Sequence, residues 1–184
     1  MFSGAKRRTN LTHGRKAMIL YIVRHAIAED AGPQQDDSQR ALTQKGRNKM
    51  RKIARGLKEL EKQIDLILTS PYLRAAQTAD ILAKTLNLDP EKVVHTDHLS
   101  PTGYADKLIE EINEKYSDIE NIALVGHEPY LSSLVSMLVA GDPEVSLNLK
   151  KGGICCLSID QLAYARCASL NWLLSPAQLV EIGE

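Results

Sequence analysis

The amino-acid sequence predicts an α/β protein, a three-layer α/β/α sandwich built on a mainly parallel, mixed sheet. Three observations carry that prediction. Residues 19–23, 65–69 and 121–126 are short, continuous apolar runs, the pattern of strands buried on both faces. Between them lie longer stretches with apolar residues at helical spacing. Two later stretches, 153–160 and 163–170, alternate with period two and suggest an antiparallel pair added at one side.

The elements follow in order. Ile19-Leu20-Tyr21-Ile22-Val23 is the first strand, and it delivers Arg24 and His25 to its carboxyl end. A polar loop punctuated by Gly32-Pro33 and rich in acids runs to Thr43, a suitable N-cap. Met50, Ile53, Ala54, Leu57 and Leu60 stripe the helix it opens, with Lys and Arg opposite. The strand over 65–69 ends at Ser70-Pro71, and Pro71 suits the first turn of a helix whose inner face is Ala75, Ala79, Leu82 and Leu86. Residues 92–95 read as a short edge strand. Tyr104, Leu108 and Ile112 mark the next helix. The strand over 121–126 leads at once to His127, and Pro129 opens a helix striped by Leu131, Leu134, Val135, Leu138 and Val139 and stopped at Gly141-Asp142-Pro143. Trp172-Leu173-Leu174, Pro176 and Leu179 form an apolar tail expected to pack back on the body.

Composition narrows the function classes. The chain has 184 residues, 43% hydrophobic and 25% charged, which suits one globular domain over residues 18–184. Formal charge is zero but uneven. Residues 1–17 carry five basic residues and no acid, and the remainder holds 18 basic against 23 acidic residues, a net of −5. A net acidic body argues against nucleic acid held on a broad basic face, so an anion site has to be local. The basic prefix is predicted to be a disordered extension ahead of Met18, a natural initiator. No run is apolar and long enough to span a membrane, so no membrane partner is expected. Cys155, Cys156 and Cys167 have neither disulfide nor zinc spacing and read as reduced thiols of a cytoplasmic protein.

Three strand ends now present basic residues together. The first offers Arg24 and His25, the second leads to Arg74 in its following helix, and the fourth offers His127. Open α/β sheets bind ligands at the carboxyl ends of their strands. Taken singly, His127 reads as a strand-end histidine bonded to backbone, and Arg74 as a helix surface residue pairing with Asp80. If the three strands are neighbours, the four residues converge on one sheet edge, and that favours a site instead. Guanidinium forks match phosphate oxygens, and a neutral histidine among them is a nitrogen nucleophile for phosphorus. Arg40 stands outside this core set as a salt-bridging partner of the acidic loop, and it is a further substrate-binding candidate. With no P-loop, no carboxylate cluster and no His/Cys ligand spacing, no metal and no cofactor are expected.

The run Leu20-Tyr21-Ile22-Val23-Arg24-His25-Ala26 resembles the signature of the histidine phosphatase, or phosphoglycerate mutase-like, superfamily. Residues 70–79 resemble its second motif and 125–129 its third. Residues 37–46, the compact length and the closing Trp172-Leu173-Leu174-Ser175-Pro176 resemble the SixA-type phosphohistidine phosphatases in particular. The resemblance covers the chain from Met18 onward. It implies a phosphoglycerate mutase-like fold, His25 as the transiently phosphorylated nucleophile, and Arg24, Arg74 and His127 as ligands of phosphoryl oxygens. The implied reaction is metal-independent dephosphorylation of a phosphohistidine signalling protein. A phosphatase for small phosphoesters and a non-catalytic phosphate-binding module are the alternatives. Ala26 stands where the family often has glycine, and its methyl is expected to be tolerated. Members that cleave alkyl phosphates usually carry an acidic proton donor in a longer insertion between the second and third motifs. Here that stretch is short, and Asp97, Asp106 and Glu128 are the nearby acids, none in a donor motif. An imidazole leaving group needs that acid less than an alkoxide does.

Overall fold

A computed structural model describes residues 17–32, 36–60 and 62–184; the predicted basic extension lies, but for Ala17, outside the described residues. Its six strands form one mixed sheet in the order β3-β2-β4-β1-β5-β6. The strands are β1 (Met18–Arg24), β2 (Leu66–Thr69), β3 (Val93–His95), β4 (Asn121–Gly126), β5 (Ile154–Ile159) and β6 (Ala168–Leu174). The first four are parallel, and β5 and β6 run antiparallel to their neighbours.

Alternation along the buried strands divides the core in two. Tyr21, Val23, Ile67, Ala123 and Val125 face helices α1 (Gln44–Glu59), α2 (Leu73–Leu86) and α5 (Pro176–Ile182). Leu20, Ile22, Leu68, Ile122 and Leu124 face α3 (Ala105–Lys115) and α4 (Tyr130–Ala140). This is the period-two geometry of a strand with apolar layers on both sides. Residues such as Ile22, Leu68 and Leu82 are fully buried, and each contributes about 1.5–3 kcal/mol by leaving water.

The helices begin where their caps dictate. Thr43 accepts a hydrogen bond from the Gly46 amide and starts α1, and Met50, Ile53, Ala54 and Leu57 are buried on its inner face. The αL conformation of Gly141 ends α4. Three sequence expectations need correction. Pro71 precedes α2 by two residues, and Tyr72 is the N-cap. Tyr104 caps α3 and is 68% exposed, because the helix starts one residue later and turns Leu108, Ile109 and Ile112 inward. Trp172-Leu173-Leu174 belongs to β6, which begins at Ala168 and not near residue 163. Residues 163–166, Tyr164 among them, are exposed in the connection between the two strands, and Leu162 just before them is buried in the α3/α4 layer. Trp172 reaches the core by pairing with Cys156 across β5 and packing 6.1 Å from the Tyr21 ring.

Candidate active site

The order β2-β4-β1 makes the three residue-bearing strands immediate neighbours. Register then places Arg24 beside Gly126 and Thr69 beside Val125. His25, Ser70 and His127, each following its strand, therefore meet at one carboxyl edge. The His25 amide donates to the Gly126 carbonyl and the Ser70 amide to that of Val125, which continues the ladder one residue past the strands. Gly152, at φ +81°, returns the chain along this edge and donates to the carbonyls of Arg24 and His25.

The four predicted core residues converge. His25 is 7% exposed, Arg74 3% and His127 2%; Arg24 is half-buried. The imidazole rings lie 5.1 Å apart between centroids. His25 Nδ1 lies 2.7 Å from the Ala26 carbonyl oxygen. A carbonyl only accepts, so Nδ1 carries the proton and Nε2 is the bare nitrogen. The Nε–H of Arg74 points at that nitrogen from 3.3 Å. Burial, reinforced by the charges of Arg74, Arg24 and Lys151 against its bond to Ala26, pushes the His25 pKa down to about 4. His25 is thus neutral at physiological pH.

Arg74 is held by its far edge. Nη1 donates to the Asp37 backbone carbonyl at 2.6 Å, and Nη2 donates to Asp37 Oδ2 at 2.9 Å. The Nε side of the guanidinium is left facing His25. Tyr72 supports the group from below, with its ring centroid 5.0 Å from the Arg74 Cζ. The Arg74 partner is therefore Asp37 and not Asp80. Arg40 Nε binds the other Asp37 oxygen at 2.7 Å, and its Nη1 donates to the Glu29 carbonyl. Arg40 thus stands one layer behind the four, joined to them through Asp37. These bonds outweigh the cost of partial burial and hold the Asp37 carboxyl below its ordinary pKa.

His127 has its Nε2 2.8 Å from Ser70 Oγ, which also accepts from the Tyr72 amide. Burial, with the neighbouring charges of His25 and Arg74, pushes its pKa down to about 3. Its Nδ1 is buried with no protein partner, as is the Nε of Arg24. A second donor of Arg24, Nη1, is tied to the Leu149 carbonyl at 2.9 Å. Buried polar nitrogens are rarely left unpaired, and two of them beside a neutral imidazole and a guanidinium describe a place for an oxyanion. Ala26 is buried in the apolar layer beneath α1 and α2, so its methyl is accommodated in the core.

Glu128 accepts from the Ser132 amide at the start of α4, and neither Asp97 nor Asp106 is bonded to the four residues. Asp37 is, and spacing gave no sign of it, because it comes from the loop before α1. Ser70 could have been found, since it follows β2 as His127 follows β4. Among the described residues, no group of three or more His, Cys, Asp or Glu side chains is placed to hold a metal ion, and no helix is long and apolar enough to cross a membrane.

A strand-end pair of neutral histidines with two arginines, on this sheet order, defines a phosphoryl-handling α/β enzyme. Residues 20–100 match the model of the histidine phosphatase superfamily (branch 1). An uncharacterised protein of Picosynechococcus sp. is 37% identical over 138 residues, covering 74% of this chain and 82% of that one. The phosphohistidine phosphatase SixA of Escherichia coli is 29% identical over 164 residues, 88% of this chain and 96% of its own length. A solved structure of the protein histidine phosphatase SixA complexed with tungstate superposes with a TM-score of 0.77 at 28% identity, over 88% of this chain and 99% of that one. The chain belongs to the histidine phosphatase superfamily. It is a phosphatase of that superfamily, with the phosphoglycerate mutase-like fold expected from its sequence.

Proposed function

We propose that the protein is a metal-independent phosphohistidine phosphatase that works through a phosphohistidine intermediate on His25 and acts on a phosphohistidine-bearing protein. Similarity to SixA over nearly the whole chain supports the class of substrate. The observation that carries the reading is the state of the acids. The carboxylate that touches the site, Asp37, is clamped by Arg74 and Arg40 and held ionised, so it has no proton to give to a leaving group.

The roles follow from the donors. The bare Nε2 of His25 attacks phosphorus, with Nδ1–H fixed on the Ala26 carbonyl. The Nε–H of Arg74 already points at the nitrogen that receives the phosphoryl group, and with the neighbouring Nη2–H it offers a two-point fork for phosphoryl oxygens. Arg24 adds its unpaired Nε–H. For His127 to donate to an oxyanion, the proton must sit on the unpaired Nδ1; Nε2 then accepts from the Ser70 hydroxyl. Arg40 contributes by holding Asp37. In the first step the P–N bond of the substrate breaks as the bond to His25 forms. An imidazole already protonated at its second nitrogen leaves neutral and needs no acid from the protein. Water then hydrolyses the phosphoenzyme and returns His25 with inorganic phosphate.

The test is a ranking. The enzyme should turn over a phosphohistidine protein with much the highest kcat/KM, an aryl phosphate such as p-nitrophenyl phosphate less well, and an alkyl phosphate least. General acid help is typically worth about 10²–10⁴, which sets the scale of the gap for alkyl esters. Comparable kcat/KM for alkyl phosphate and phosphohistidine would favour a small-phosphoester phosphatase.

A further inference from the structure

Beside the site lies a groove of about 490 Å³, whose walls include Arg24, Lys49 on α1, and Lys150 and Lys151 on the loop that leads into β5. No carboxylate lines it. Among the described residues, none of these three lysines makes an ion pair, whereas Lys52, Lys107 and Lys115 each have a carboxylate partner. The lysines are therefore a set of like charges gathered without compensation, on a body whose net charge from residue 18 onward is −5. Composition alone would not concentrate them. Further along α1, Lys45 and Lys52 share a separate groove with Glu181 and Glu184, and Lys52 pairs with Glu184, so the uncompensated charge is confined to Lys49, Lys150 and Lys151. Like charges brought together around an open groove repel one another, and that repulsion is relieved when an anionic partner docks.

The groove joins the catalytic pocket through Arg24. The same guanidinium stands at the end of β1 beside His25 and is bonded to the carbonyl of Leu149, one residue before the two lysines. Lys151 is near enough for its charge to bear on the His25 ring. A molecule whose phosphoryl group is at His25 thus has its neighbouring atoms at the mouth of the groove. Its volume is in the range that takes a few side chains rather than a whole element.

We infer that the groove formed by Arg24, Lys49, Lys150 and Lys151 docks an acidic stretch of the substrate protein adjacent to its phosphohistidine. The inference rests on the phosphohistidine reading above and adds to it the chemistry of the sequence around the modified residue. A long polyanion such as nucleic acid is disfavoured, because the acidic remainder of the surface repels it outside this one patch.

Two phosphohistidine peptides, identical except that glutamates flanking the phosphohistidine in one are glutamines in the other, provide the probe. Wild-type enzyme should prefer the glutamate peptide by about tenfold or more in kcat/KM, chiefly through KM, and added salt should erase the preference. The double variant Lys49→Glu/Lys150→Glu should lose the preference or reverse it, while its turnover of p-nitrophenyl phosphate and its urea midpoint stay at wild-type values. Equal handling of the two peptides by the wild type would overturn the groove. So would equal loss on p-nitrophenyl phosphate in the variant, which would place the lysines in the chemistry. Tight binding of duplex DNA or anionic vesicles with no peptide preference would assign the patch to another partner. If neither peptide is cleaved while p-nitrophenyl phosphate is, the phosphohistidine reading itself fails, and the proposed occupant with it.

Discussion

Acid should destabilise this protein well above the pH at which its carboxylates titrate, and the two site histidines give the size of the effect. Free histidine titrates near 6.5, but burial among positive charges holds His25 at about 4 and His127 at about 3. A histidine held neutral in the fold binds fewer protons than in the unfolded chain. Stability must therefore fall as pH drops through the unfolded value near 6.5, and the loss levels off only below the folded values. Between about pH 7 and pH 5, each of the two contributes a loss of roughly 2 kcal/mol, or roughly 3–4 kcal/mol together. Urea unfolding in phosphate-free buffer at the two pH values measures it directly. The variant His25→Asn, which cannot titrate there, should show a pH-dependent loss smaller by roughly 2 kcal/mol than wild type, whatever its absolute stability. Carboxylates and exposed histidines titrate alike in both proteins and cancel. Parallel losses in the two proteins would mean that His25 is not held neutral, and the nucleophile argument would lose its basis. The same shift has a kinetic face: kcat/KM should show no acid limb near pH 6.5 attributable to His25.

Other consequences concern the arginine and the packing behind it. Arg74→Lys should lose roughly 10²–10³ in kcat, since a point charge replaces a preorganised fork, and single-turnover kinetics would show it. Asp37→Ala should lower kcat by about tenfold through a loosened Arg74, with Asp37→Asn recovering most of the rate because it still accepts from Nη2. On the opposite end of α1, Gly56→Ala should destabilise the fold by about 1–3 kcal/mol, read as a lower urea midpoint, because its new methyl would run into the Leu179 backbone carbonyl of α5.

Much of this is legible in the amino-acid sequence. Continuous apolar runs announced β1, β2 and β4, because a strand between two helical layers has no polar face to confuse the pattern. Alternating strands and helices imply a mainly parallel sheet, but the order β2-β4-β1, which makes these strands neighbours and brings Arg24, His25, Arg74 and His127 together, is not written in the sequence. What stayed hidden depends on tertiary pairing. β6 exposes much of its length, so its register is set by β5 and not by its own periodicity. Asp37 reaches Arg74 across 37 positions from a loop that no periodicity describes. The lysine groove combines a helix residue with a distant turn, and nothing in either segment marks them as neighbours.

The covalent step is the centre of the account, and rapid-quench analysis with labelled phosphohistidine substrate tests it most directly. Wild-type protein should yield an acid-labile, alkali-stable phosphoenzyme within the first turnover, with the label on the peptide containing His25. His25→Ala should yield none and no turnover, with its fold intact by circular dichroism. A His25→Ala protein that still turns over at the wild-type rate, or a label carried by another residue, would contradict it.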